Sequence, residues 1–293
     1  MAIKISRGRK IFLFSNLTLL IVVSCIMIFP FIHVIAQSFS SSSAIDQGRV
    51  SFLPVEFTLD NYSFVFQDAS IWRSFGITIF ITVFGTLFNL LATASLAYPL
   101  SRSELLGRKF LLLMVLFTMI FSAPLIPTYL VVQNLGLTNT IWALIFPTAI
   151  SAFNMFVMRS FFMKIPKELI EASRIDGMGE LRILFQIVLP LSKPAMATLG
   201  IFYAVFHWNT YFQALMFIED RSLYPLQIKL REMIIDENFT SDPTSDFYSS
   251  MLSSSPEGIK MATIIVATVP ILLIYPFLQR YFVKGFMLGS LKD

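Results

Sequence analysis

His207, Trp208, Asn209, Tyr211 and Gln213 crowd into one short stretch of an otherwise apolar run. Aromatic faces stack on sugar rings, and amides exchange hydrogen bonds with hydroxyls. Inside a bilayer such groups are costly unless they line a cavity or pair with one another. Trp208, Asn209, Tyr211 and Gln213 are therefore candidate substrate-path residues, with simple packing as the competing reading. His33 and Asn154 read as satisfied buried polar groups. Asn89, with Thr86 and Thr93 three and four residues away, reads as a polar seam between helices. Catalysis has little to work with. An intramembrane protease needs a Ser/His pair or paired acids within the membrane. The two histidines are His33 and His207, and no acid lies in any long apolar run. The one cysteine, Cys25, can form neither an internal disulfide nor a thiol metal site. No catalytic residue and no metal ligand is assigned, and an enzyme is not expected.

The second informative stretch is charged. Arg159–Lys193 holds RSFFMKIPKELIEASRIDGMGELRILFQIVLPLSK. Pro166 suits the first turn of a helix, where its missing N–H is harmless. Lys167–Ile175 then reads as a short amphipathic helix with Glu168 and Glu171 toward its N-terminal end. Asp176-Gly177 breaks it, because glycine accepts positive φ. Glu180–Val188 reads as a second helix, ended by Leu189-Pro190. So short a bracket needs a partner surface.

Long apolar elements must carry these groups. Of the 293 residues, 56% are hydrophobic and 14% charged; a soluble domain carries about a quarter charged. Mean hydropathy is +0.73. Ile11–Gln37, Ser74–Ser101, Phe110–Met158, Pro194–Ile218 and Met261–Gln279 hold no Asp, Glu, Lys or Arg. A hydrocarbon core takes about 20 helical residues to cross, so Phe110–Met158 must turn back, and Asn134-Leu-Gly-Leu-Thr-Asn139 supplies the turn. The expectation is an all-α, polytopic protein of one membrane domain, residues 1–293. Its six spans lie near 11–37, 74–100, 110–133, 140–158, 194–218 and 261–279. The first reads as a retained signal anchor rather than a cleaved signal. Outer loops cover 38–73 and 219–260; within them Phe57–Tyr62 reads as a short interfacial element, Leu226–Ile235 as a helix and Thr240–Ser255 as mobile. Prolines such as Pro124 and Pro127 mark packed bends.

Orientation follows from charge. With the N-terminus inside, inner segments carry sixteen of the 22 Lys and Arg and outer segments six. That split places both termini and segment 159–193 in the cytoplasm. It also explains the pI of 9.2 without nucleic acid.

Glu171-Ala172-Ser173, Asp176-Gly177 and Ile187-x-Leu189-Pro190 together resemble the EAA motif of ABC importer permeases, with Ser173 in place of a second alanine. Phe206-His-Trp-Asn-Thr-Tyr-Phe212, Asp60-Asn-Tyr62, Leu223-Tyr-Pro-Leu-Gln227 and the tail Lys284–Asp293 are similar to the maltose-type (MalG-like) carbohydrate permeases. Within that group the chain most resembles the branch that imports larger or acidic oligosaccharides, such as those of alginate and pectin. The resemblance implies a type I ABC importer fold in the bacterial inner membrane. It implies that Glu171, Ala172, Ser173, Asp176, Gly177, Leu189 and Pro190 form a coupling helix seated on an ATPase subunit. Glu171 would meet a basic residue there, and Ala172 and Ser173 would permit close approach. No G-x-x-x-x-G-K-[ST] stretch is present, so ATP-Mg is expected on a separate ATPase dimer and no cofactor on this chain. The other implied partners are a second, homologous permease, a solute-binding protein, an oligosaccharide and membrane lipid. The rivals are a permease for another solute and a secondary transporter. The latter would show more spans, internal repeats and intramembrane acids.

Overall fold

The computed structural model describes residues 7–121, 123–235 and 255–290, and side chains within these except at 7, 234–235 and 274–290. Lys4, residues 240–254 and the last three residues of the basic tail lie outside the described residues. All regular structure described is helical. The chain divides into two compact units, Met1–Ala69 with Glu232–Val269, and Ser70–Arg231 with Pro270–Asp293.

The first unit contains α1 (Arg7–Ser38), α2 (Ser42–Asp46) and α3 (Asp60–Gln67). Gly8–Ser38 has a mean hydropathy of 2.7 and is long enough to cross a bilayer alone. The turns after it are tied by side chains. Ser41 caps α2 by accepting from the Ala44 amide. Asn61, buried, donates to the Ser38 and Ser40 carbonyls at 3.2 and 3.1 Å. Glu56 adopts φ 54° and accepts from Ser41, Ser43 and Arg49 at 2.5, 3.1 and 2.9 Å. Those donors, Ser41 foremost, lower its pKa to about 2. His33, expected to be a satisfied buried polar group, has a partner in the Ser51 carbonyl at 2.7 Å but is only half-buried.

The second unit begins with α4 (Ala69–Ser101), also long and apolar enough to cross alone. After it come α5 (Arg108–Ile120) and α6 (Leu125–Asn134), with Pro124 as the extended residue before α6. The hairpin turn is built as the sequence suggests. Gly136 takes φ 67° and Asn139 φ 59°. The Leu137 amide returns to the Val132 carbonyl at 3.1 Å and the Gly136 amide to Gln133 at 2.9 Å, a Schellman ending. Asn139 then donates its backbone N–H to the Phe217 carbonyl at 2.7 Å, and its side-chain oxygen accepts from the Glu219 and Asp220 amides.

The apolar runs are less regular than their composition suggests. Residues 140–158 are not one helix: 3₁₀ turns at Ile141–Leu144 and Phe146–Thr148 precede α7 (Ala152–Phe162), across a 53° bend. Residues 194–218 break as well. Helix α11 (Lys193–Trp208) stops, and α12 (Phe212–Phe217) begins after three intervening residues. The Asn209 amide donates back to the Val205 carbonyl at 2.8 Å, a local bond that competes with the helical ladder. Among the described residues three helices are long and apolar enough to cross a membrane, and counting each bent pair as one span gives up to six.

Candidate functional site

The charged stretch forms α8 (Lys167–Ile175), a turn, and then α9 (Glu180–Ile183), a π-turn at Leu184–Val188 and α10 (Leu189–Leu191). The α8 ending is a Schellman motif. The Gly177 amide bonds the Arg174 carbonyl and the Met178 amide the Ser173 carbonyl, both at 3.0 Å. Gly177 sits at φ +82°, which costs a residue with a Cβ about 1–2 kcal/mol. Contrary to the sequence expectation, Leu189-Pro190 does not end the second helix. Pro190 lies within it, and the chain turns through 86° only after Leu191. The widened π-turn precedes Pro190, whose ring would meet the carbonyl four residues back in a regular α-helix.

The bracket has two faces. Glu171, Ala172, Asp176 and Gly177 are exposed, and so is Ile175, at 87%. Ile170, Ile183, Leu184 and Val188 are buried with Ala97, Tyr98 and Leu100 of α4 and Met155, Met158 and Phe162 of α7. Ser173 corrects the expectation of a small residue offered to a partner. It is 6% exposed, packed inward with Ile170, and its hydroxyl donates to the Leu169 carbonyl at 2.7 Å. Leu189 is half-buried and Pro190 exposed.

Polar contacts then fix the bracket to the end of α4. Tyr98 donates its hydroxyl to Glu180 at 2.6 Å. Arg174 donates its Nε to the other Glu180 oxygen at 2.8 Å and reaches Glu104 at 3.9 Å. Lys167 reaches the Ser103 hydroxyl at 3.4 Å. The Tyr98 hydrogen bond, with Arg174 beside it, holds the Glu180 carboxyl below the usual carboxylate range. The Arg174 guanidinium is raised in turn, chiefly by its bond to Glu180. Exposed ion pairs contribute about 0–1 kcal/mol each, whereas burying an aliphatic side chain contributes roughly 1.5–3. Apolar contacts therefore hold the bracket, and the polar ones set its angle.

The aromatic and amide cluster sits at the break between α11 and α12. Trp208 is buried edge-to-face against Phe75, ring centres 6.0 Å apart. Tyr211 is half-buried beneath the Arg231 guanidinium, 4.8 Å from its ring centre. Asn209 is exposed and Gln213 half-buried. The Trp208 Nε1 and Tyr211 hydroxyl are enclosed without hydrogen-bond partners among the described residues, as are Thr82 Oγ1, Thr86 Oγ1, Asn89 Oδ1 and His207 Nδ1. Asn89 does bridge helices: its amide nitrogen lies 3.1 Å from the Thr148 carbonyl and 3.2 Å from His207 Nε2. Thr93 bonds the Tyr203 hydroxyl at 2.7 Å.

Three residues escaped the sequence reading. Glu180 was legible only as a helix start, because its partner Tyr98 is 82 positions away. Arg174 had no signal beyond its place in the last turn of α8. Gly85 looked like any glycine in an apolar run.

The family model for the binding-protein-dependent transport system inner membrane component matches residues 93–287. Over 276 residues, 93% of this chain and 95% of the relative, the sequence is 45% identical to the polygalacturonan/rhamnogalacturonan transport system permease protein YtcP of Bacillus subtilis (strain 168). It is 44% identical to protein LplC of the same organism, covering 98% of this chain and 97% of that one. A chain in the crystal structure of a bacterial ABC transporter involved in the import of the acidic polysaccharide alginate superposes with a TM-score of 0.89. That pair is 35% identical, and the match covers 94% of this chain and 98% of the other. The chain belongs to the family of inner membrane components of binding-protein-dependent transport systems: it is a transport permease, not an enzyme.

Proposed function

We propose that this permease is one half of the translocation pathway of an ATP-driven importer for acidic oligosaccharides, delivered by a solute-binding protein. The likeness to the polygalacturonan/rhamnogalacturonan permease and to the alginate importer chain supports that substrate class. The other half would be a second, homologous permease, and ATP-Mg would sit on a separate ATPase dimer. The bracket is the coupling element. The observation that carries this reading is its two-faced build: aliphatic residues bury one side into α4 and α7, while Glu171, Ala172, Ile175 and Gly177 remain exposed on the other. Surface of that kind is what a partner covers. Trp208, Asn209, Tyr211 and Gln213 border the pathway at the α11–α12 break. Both termini face the cytoplasm, and six spans cross the membrane, three of them bent.

Uptake measured in vesicles containing the whole complex tests this. Import of an acidic oligosaccharide should require ATP and persist after the ion gradient is collapsed. Reporters in segments 159–193 and 219–260 should lie on opposite sides. Uptake that follows an ion gradient without ATPase subunits, or both reporters on one side, overturns the reading.

A further inference from the structure

Three side chains converge where the bracket meets the end of α4. Glu180 opens α9, and its carboxylate takes both the Tyr98 hydroxyl and the Arg174 guanidinium. Arg174 belongs to the last turn of α8, and Tyr98 to the last turn of α4. One carboxylate thus joins the helix with the exposed face to the helix that, about two and a half turns away, carries Asn89 against His207. Beside this junction lies a cleft of about 400 Å³ lined by Tyr98, Arg102, Glu104, Arg174, Glu180 and Leu184. Arg102 stacks its guanidinium 4.8 Å over the Tyr98 ring, while its Nε and Nη2 are enclosed without partners among the described residues. A guanidinium with two unspent N–H groups next to a shared carboxylate gives that carboxylate a second place to bind. Long-range coupling requires an element with two arrangements, and this junction offers one carboxylate two sets of donors.

We infer that Glu180 is a positioning residue that transmits movement of the coupling helix to α4, holding Tyr98 and Arg174 in one state and exchanging toward Arg102 in the other. The inference rests on the bracket being the ATPase-coupling element. It concerns the link from the bracket into the membrane helices, not the contact with the ATPase, so the two can fail separately.

The test uses the complete complex of both permeases, ATPase dimer and binding protein in nanodiscs, with Glu180→Gln, Tyr98→Phe and the double variant. Glu180→Gln removes the charge at nearly constant volume, and Tyr98→Phe removes only a hydroxyl. Three quantities are read: ATPase retained on purification, thermal stability, and the ratio of binding-protein-stimulated to basal ATP hydrolysis. Retention and stability should match the parent. The stimulation ratio should fall at least about fivefold in each single variant, the lower end of ordinary coupling between sites. The double variant should lose no more than the worse single, because both changes break one linkage. An unchanged ratio in the single variants, losses that multiply in the double, or loss of bound ATPase in step with loss of stimulation each overturns the inference. Gly177→Val serves as the control for the underlying reading: if it retains ATPase and full stimulation, the bracket is not the coupling element, whatever Glu180 does.

Discussion

The His207 ring occupies the space that a side chain at Gly85 would need. A Cβ built on Gly85 would lie 2.6 Å from Nε2, 2.8 Å from Cε1 and 2.9 Å from Cδ2. The ring is 1% exposed and tied to Asn89, so it cannot step aside as a flexible chain end would. Gly85→Ala should destabilise the protein by about 1–3 kcal/mol, the usual consequence of overpacking. Gly200→Ala should be neutral or slightly stabilising. Its Cβ would meet the end of Leu90 at 3.4 Å and the Thr86 methyl at 4.0 Å, both ordinary contacts, and alanine is favoured over glycine in a helix by about 0.5–1 kcal/mol. Thermal unfolding in detergent, with both variants side by side, checks the contrast.

At the α8 ending the cost is conformational rather than steric. A Cβ on Gly177 would touch nothing within 4 Å, yet φ +82° is disfavoured for any residue that has one. Gly177→Val should therefore insert normally, distort the bracket and weaken ATPase retention; Gly177→Ala should do the same more mildly. Glu171→Lys should leave the fold intact, since Glu171 is exposed, and should still reduce retention. Copurification of the ATPase decides the matter, and parental retention in all three variants would remove the bracket from the coupling role.

Neighbouring small residues on α8 should behave differently. Ala172→Arg should fold normally and dock poorly, because Ala172 is exposed. Ser173→Leu should fail earlier, in stability, because position 173 packs inward, where overfilling costs typically 1–3 kcal/mol. Unfolding midpoints and ATPase retention, measured together, separate the two effects. Equal stability of both variants would contradict the inward placement of Ser173.

The turn around Glu56 gives a pH prediction. Its carboxyl is held at about 2, below the ordinary 4.5. A lowered carboxylate contributes stability that is fully present above 4.5 and is lost as pH falls through the folded value, near 2. Amide protection in residues 41–57, read by hydrogen exchange, should persist at pH 4 and fade toward pH 2. In Glu56→Gln it should be weaker at pH 4 and above, converge with the parent toward pH 2, and show no such transition. A transition of parental size in Glu56→Gln would assign it to another group.

What the sequence reveals depends on how local the cause is. The bounds of α8 were legible because Pro166 and Gly177 punctuate it. The turn at 134–139 was legible for the same reason. The break after Trp208 was hidden: the run stays uncharged through it, its polar cluster reads equally well as a set of substrate contacts, and the bond that competes with the helix comes from one asparagine. The inward turn of Ser173 was overlooked because a motif read by residue type does not state helical phase, although Ile170 three positions earlier marks the buried face. Glu180 was invisible, since nothing near it in sequence points to Tyr98.

The carbonyl of Leu100 accepts from the Nε of Arg108 at 3.1 Å and from the Nε of Arg159 at 2.8 Å. Two of the cations on which the proposed orientation rests thus also cap the end of α4. With that orientation, membrane insertion and folding draw on the same atoms. An attempt to invert the protein by moving positive charge away from positions 108 and 159 would also fray the helix whose direction it sought to reverse. Lysine, which keeps the charge but lacks the Nε donor, is the substitution that would separate the instruction to the insertion machinery from the instruction to the fold.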